Sequence, residues 1–468
     1  MIERILVEGM SDDEHATVWR LLEKLEQTRE RNLTRSSYYD GKRFASRVSP
    51  ILPPQYHRLG LVLGWSAKAV DALARRCHVD EMVWPGGDLG SLGIDEFAEA
   101  NRLRAELHAA RTKAMIHGVS FLVNTVGAEG EPRSLLHMKD ALNATGTWNV
   151  RTRQLDDFLS VLGRDGSKIT EFALYLDGLT ISARSDNGRW SVTDRQEHAY
   201  GVPAEAVIFK PQGRDFGYSR ITRPIMGLQD AAVRGLARME GHMDVYSYPE
   251  LWMLGATQAI FKDEAGNQLP NWKVMMGRIK GIPDDDSQDT PRADVKQFSA
   301  SSPEPHLAQI NALAKMFARE ADLPDTAVAI TDVANPTSAE SYDSSQYELI
   351  AAAEEATGDM TIPFARAVRR GLQILNGLDG QPVEWASIRP KWRDPRFSSR
   401  ASMADAGAKI AGAVPGMAET SVGLELMGLT ADQIERFQSE RRRANGGALL
   451  AGLRGAAGTE PLASGVGG

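Results

Sequence analysis

The stretch GRDFGYSRITRPIMGLQDAAVRGL, residues 213–236, changes character midway. Its first half is turn-rich and polar. From about Ile221 to Tyr246 the chain reads as one long helix, with Ile225, Leu228, Ala232, Leu236, Met239 and Met243 at spacings of three and four. Everything before the junction ends in short strands, and everything after it is dominated by helices. No nucleophile elbow sits there: GYSRI has Gly217 and Ser219 but ends in Ile221, where G-x-S-x-G needs a second glycine.

Upstream, residues 11–39 read as a helix. Ser11 and Glu14 form a capping-box pattern, and Val18, Leu21, Leu22 and Leu25 recur at helical spacing. Gly41 in YYDGKR suits a left-handed stop. A second helix is expected over about Gln55–Cys77 and a third over Ile94–Ile116. From His117 to about Lys210 the pattern turns to antiparallel strands in a meander or small barrel. VSFLVN, EFALYLD, LTISAR, RWSVT and AVIFK are separated by turns such as SDNG.

Downstream, residues 251–302 form an insertion with the basic residues Lys273, Arg278 and Lys280 beside the acidic run Asp284, Asp285 and Asp286. Mixed sign of this kind suits either a solvated surface hairpin or an interface where positive meets negative. PHLAQINALAKMFAREADLP then reads as a helix ending at Pro324. The two helices flanking the insertion are placed to be antiparallel neighbours. Next come a polar hinge, DTAVAITDVANPTSAES, and a very long helix over about Ser338–Leu375. Asn335-Pro336 breaks the preceding segment, because a residue before proline avoids the α region. Ser338 is a candidate cap for the long helix. PVEWASIRPKW suggests a strand and a turn. Two or three short helices lead to about Arg443, one with Thr430 as N-cap, and the Gly- and Ala-rich residues 446–468 read as a disordered tail.

The chain has 468 residues, room for two to four domains. Its net charge of -8 and pI near 5.7 disfavour tight, sequence-reading DNA binding, which depends on Lys and Arg neutralising phosphates. One cysteine, Cys77, permits no internal disulfide, and its apolar surroundings point to a core thiol. No signal-peptide core and no membrane-spanning run of about 18 apolar residues is present, so a cytoplasmic setting is expected.

Local chemistry is sparse. Asp12, Asp13, Glu14 and His15 could suggest a metal site, but consecutive helical residues point apart, and carboxylates favour a helix N-terminus. PGGDLGSLG, residues 85–93, lacks the Lys and hydroxyl of a P-loop and the spacing of a dinucleotide fingerprint. His57, His117, His242 and His306 are scattered, and none has a partner four residues on. Hence no catalytic residue, cofactor or metal ligand is assigned.

The order of parts resembles the portal proteins of tailed bacteriophages, the connector ring at one vertex of the head, and actinophage members in particular. YYDGKR, GRDFGYSRITRPIMGLQDAAVRGL, LAQINALAKMFAREADLP, EWASIRPKWRDPRFSSRASMADAGAKI and NPTSAESYDSSQYELI carry the likeness from about residue 10 to 445. The last of these is similar to the family's N-P-x-S-A-E signature. The resemblance implies an α+β fold with a helical and β wing (1–217, completed by a long helix and strand at 339–395). It also implies stem helices at 218–250 and 303–324, an α/β clip at 251–302 and a helical crown at 396–445. The hinge at 325–338 becomes a tunnel loop. Thr326, Val328, Ile330, Thr331, Asp332 and Asn335 would face DNA there, while Lys273, Arg278, Lys280 and Asp284 to Asp286 of the clip would dock partners.

The implied function is a dodecameric ring, a conduit for viral DNA packaging and ejection. The implied partners are double-stranded DNA without sequence specificity, the terminase large subunit, a head–tail adaptor, and major capsid and scaffolding proteins. The implied location is the virion, after assembly in the host cytoplasm, with no membrane. A metal-dependent nuclease or hydrolase built from dispersed Asp and His, or another structural head protein, remains as an alternative.

Overall fold

The computed structural model describes residues 4–42, 61–246, 250–254, 265, 267, 279–282, 294–298, 301–328, 345–396 and 400–457. The chain divides into two compact units, Met1–Pro395 and Arg396–Gly468.

In the first unit, helix α1 (Asp12–Tyr39) starts as its sequence dictates. Ser11 Oγ accepts the Glu14 N–H, and the Glu14 carboxylate accepts the Ser11 N–H at 2.8 Å. The charged run Asp12–His15 is thus part of a helix start. Glu14 also pairs with Arg195 at 2.6 Å, and His15 accepts the Val7 N–H at 2.9 Å. The latter bond holds strand β1 (Val7–Glu8).

Helix α2 runs Trp65–Arg76. Residues 61–64 are not helical, so the expected start near Gln55 is not met at the described positions, and 55–60 lie outside them. The single helix expected over Ile94–Ile116 is two, α3 (Ile94–Ala100) and α4 (Leu103–His117). The break has a clear cause. Buried Asn101 donates to the Phe97 and Ser134 carbonyls and accepts the Leu136 N–H at 2.7 Å, and Arg102 adopts φ 48. Satisfying these strand groups takes precedence over the helical ladder.

The β region is two sheets and not one meander or barrel. One has six strands in the order β1, β9 (Arg189–Glu197), β8 (Leu179–Asp186), β7 (Lys168–Leu176), β6 (Gln154–Asp165), β5 (Ala144–Asn149). The other orders β10 (Ala204–Ile208), β3 (Val119–Val126), β4 (Ser134–Asp140). Phe121 and Phe158, with ring centroids 4.9 Å apart, join an apolar layer contributed by both sheets. A separate apolar layer joins α1 to the six-stranded sheet through Val18, Leu21, Leu22, Leu25, Phe172 and Ile181.

Further helices are α5 (Arg223–Tyr246), α6 (Glu304–Glu320) and α7 (Tyr347–Asn376). The main core is built from α2, α4, α6 and α7, with Leu73, Met115, Phe317 and Phe364 fully buried. Between α5 and α6 the insertion contributes strands β11 (Glu250–Leu254), β12 (Ile279–Ile282) and β13 (Asp294–Phe298). Strand β2 (Val79–Val83) pairs with β14 (Arg389–Trp392), about 300 residues later in the chain. Trp392 Nε1–H donates to Thr361 Oγ1 at 2.8 Å, tying that pair to α7. Cys77 is buried in this core, and burial pushes its thiol up to about 12, as a structural thiol requires.

The second unit contains α8 (Arg400–Ala413), α9 (Ser421–Leu426) and α10 (Ala431–Ala457). Thr420 caps α9 by accepting the Gly423 N–H at 3.0 Å. Helix α10 continues to Ala457, so the first part of the expected disordered tail is helical.

Candidate functional site

Among the described residues no group of three or more His, Cys, Asp or Glu could hold a metal ion. The feature with functional shape is the helix pair α5/α6, with the insertion at one end and the hinge at the other. The pair is antiparallel. Arg220, before α5, reaches Ala321 and Asp322, after α6. Midway, a Cβ on Gly235 would lie 3.4 Å from Ile310. At the far end, the His242 and His306 rings stand 5.1 Å apart.

The root of the pair is a buried polar clamp. Arg220 is 5% exposed. Its Nε–H donates to the Ala69 carbonyl at 2.7 Å, its Nη2–H to that of Ala321, and Nη1 faces Asp322 at 3.4 Å. Its backbone N–H donates to Met115 at 2.8 Å. One side chain therefore joins α2 to the end of α6, while its own backbone is held to α4. Burial pushes the guanidinium pKa down, and Asp322 offsets this. Ser219 Oγ–H donates to Ile116 O at 2.6 Å. Nearly two turns into α5, Gln229 Oε1 accepts both the N–H and the hydroxyl of buried Ser66. Tyr38 donates to Asp230 at 2.8 Å. The helix pair is thereby fixed to α1, α2 and α4 at its base.

From the far end of the pair the insertion emerges as a three-stranded sheet, ordered β12, β11, β13. Lys280 is the register partner of Trp252 on one side, and Lys296 is its partner on the other. Lys296 was not singled out from sequence. Lys273, Arg278, Asp284, Asp285 and Asp286 lie outside the described residues.

At the root end, α6 closes with the Leu323 N–H bonded to Ala318 O at 2.8 Å and Asp322 at φ 51. A 3-10 turn, Asp325–Ala327, follows. Thr326 is exposed, whereas Val328 is half-buried against the main core. Ile330, Thr331, Asp332 and Asn335 lie outside the described residues, as does the first turn of the helix expected from Ser338. Where α7 begins, Leu349 enters the same core that receives Val328. Sequence reasoning missed the clamp. Its only local signal was an arginine and a serine directly before an apolar helix.

The chain is similar in sequence to portal proteins of two mycobacteriophages. The chain is 24% identical over 425 residues to the portal protein of Mycobacterium phage L5, covering 86% of this chain and 84% of that one. It is 24% identical over 428 residues to the portal protein of Mycobacterium phage D29, covering 89% and 86%. Among solved structures it is similar to chains in the neck of a native GTA particle computed with C12 symmetry (TM-score 0.40, 16% identity, 78% of this chain and 89% of that chain). It is also similar to chains in the neck of an empty GTA particle computed with C6 symmetry (0.43, 17%, 78% and 90%). The family described as phage portal protein, SPP1 Gp6-like, matches residues 20–447, nearly the whole length, and the chain belongs to that family.

Proposed function

We propose that the chain assembles into a closed homo-oligomeric ring, a dodecamer, at one capsid vertex of a phage virion, where it conducts double-stranded DNA during packaging and ejection. The observation that carries this is the α5/α6 pair, rooted by Arg220 in a rigid body with an insertion at its opposite end. Ring subunits meet through two different surfaces. In this reading residues 1–217 and 339–395 are the wing, 218–250 and 303–324 the stem, 251–302 the clip and 396–445 the crown. The clip docks the terminase large subunit and a head–tail adaptor, and capsid and scaffolding proteins surround the wing. The ATPase motor is a separate terminase, and this chain performs no catalysis itself. Assembly takes place in the host cytoplasm. Among the described residues no helix is long and apolar enough to cross a membrane.

The hinge, 325–338, faces the channel in this reading. Thr326 remains a lining candidate together with Ile330, Thr331, Asp332 and Asn335, while Val328 serves to anchor the loop. A polar loop with few cations lets duplex slide, because each phosphate neutralised by Lys or Arg adds affinity. The nuclease alternative loses its motivating cluster, since Asp12, Asp13, Glu14 and His15 form a helix start and hold β1.

Negative-stain imaging of the purified protein is expected to show rings with a central channel. A protein that stays monomeric at assembly concentrations, with no ring in virions, would refute the proposal. Deleting residues 330–335, which spares the Val328 anchor, is expected to leave rings intact and to reduce packaged DNA sharply. Loss of the rings themselves would mean that the segment is a packed element and not a channel loop.

A further inference from the structure

Cations concentrate on one part of this acidic chain. Arg31 and Arg35 stand one turn apart on α1, and Arg35 donates to the carbonyl of His117, the last residue of α4, at 2.8 Å. Lys113 lies one turn earlier on α4, so Lys113 and Arg35 both act on His117. Arg214, on the loop before α5, has its guanidinium 4.4 Å from the Tyr218 ring centroid and acts on both α1 arginines.

None of Arg31, Arg35, Lys113 and Arg214 forms an ion pair among the described residues. Nearby carboxylates act elsewhere: Asp157 binds Arg20 at 2.6 Å, and Asp215 and Asp157 act on Lys24. Burial, then Arg31 and Arg214, draws Arg35 down to about 10. His117 is 3% exposed, and neither ring nitrogen meets a partner among the described residues. Burial and the surrounding cations push it down to about 3, so it stays neutral.

A second arginine grouping among the described residues is matched internally. Arg366 and Arg370 flank Glu205 at 3.9 and 2.7 Å. The α1–α4 cluster has no such acid. Arginine forks held near one another without a carboxylate fit an external oxyanion, and phosphate is the one they bind through two parallel N–H bonds.

We propose that Arg31, Arg35, Lys113 and Arg214 form a seat for the phosphate groups of a duplex DNA backbone, distinct from the polar hinge. Four cations hold phosphate where the hinge lets it pass, so the seat retains stationary DNA. The choice of DNA as ligand rests on the conduit reading above. The two readings fail separately, because ring images test the conduit while salt-dependent binding tests the seat.

The test measures fluorescence anisotropy of a labelled 20-base-pair duplex with the full-length protein at about 50 and 200 mM salt, with inorganic phosphate as competitor. R31A/R35A is expected to weaken binding on the order of tenfold. It should also flatten the slope of log affinity against log salt by about 1.8, since each phosphate contact contributes about 0.9. R214A, on an exposed loop, should flatten it by about half as much, and R31K/R35K should retain most of it. Far-UV circular dichroism establishes that each variant is folded. Unchanged affinity and slope in both alanine variants would overturn the proposal. So would weakened phosphate competition with unchanged duplex binding. Loss of oligomers with an unchanged slope would assign the cluster to carboxylates of a second copy and overturn it as well.

Discussion

Replacing Arg220 with alanine is expected to destabilise the first unit by about 4 kcal/mol and to loosen the helix pair before anything else. The side chain serves two carbonyls, those of Ala69 and Ala321, in residues that are 0% and 1% exposed. A buried acceptor left without its donor costs about 1–3 kcal/mol, so the two together account for most of the loss. The ion pair to Asp322 contributes less. That carboxylate is 36% exposed and rehydrates when its partner is removed. Lysine keeps the charge but lacks the planar fork, so it can serve one carbonyl at a time, and R220K should lose about half as much. Urea unfolding followed by tryptophan fluorescence measures the global effect. Amide exchange over 223–246 and 304–320 measures the local one. Exchange there as slow as in the unsubstituted chain would show that the clamp does not hold the pair.

The clamp also shows where sequence reading reaches its limit. Helix α1 was legible because everything that starts it lies within four residues: Ser11, Glu14 and the apolar positions after them. The antiparallel α5/α6 pair was legible because its apolar period is strong and both ends are marked. The break at Asn101 was not, because its cause is a hydrogen-bond demand from Ser134 and Leu136 on a strand more than 30 residues away. Strands β4, β5 and β6 were missed for a related reason. Strand β5 carries Gly146, and β6 carries Asp156, Asp157 and Gly163, poor strand formers in isolation; β6 accommodates Gly163 through register shifts that only its partner β7 defines. The β2–β14 pair joins residues about 300 positions apart. Site residues divide in the same way. The hinge and insertion stood out by their polar composition and were given roles by the family resemblance, whereas Arg220, Gln229 and Lys296 acquire theirs only from neighbours brought in by the fold.

A methyl group at Gly217 is expected to cost about 3 kcal/mol, a large effect for so small an addition. Gly217 sits at φ 58, where an L-residue loses about 1–2 kcal/mol relative to glycine. Its Cβ would also overlap the Phe209 carbonyl oxygen and lie 2.8 Å from Ile208 Cγ2. That carbonyl cannot move freely, because it accepts the Tyr218 N–H at 3.0 Å, while the Phe209 N–H donates to Gly118 O at 2.9 Å. Gly118 is pinned in turn: a Cβ there would come within 2.7 Å of Phe216 O. The end of α4, the end of β10 and the loop leading to Arg220 thus meet backbone to backbone, and the position of the clamp depends on that contact. Asparagine separates the two contributions. It tolerates positive φ better than alanine, so if conformation alone mattered, G217N would recover most of the loss. Because asparagine carries the same Cβ, the collision persists, and G217N should unfold close to G217A in urea. A G217N midpoint near that of the unsubstituted chain would mean that the loop yields at Phe209, and that the root of the helix pair is less rigid than its hydrogen bonds imply.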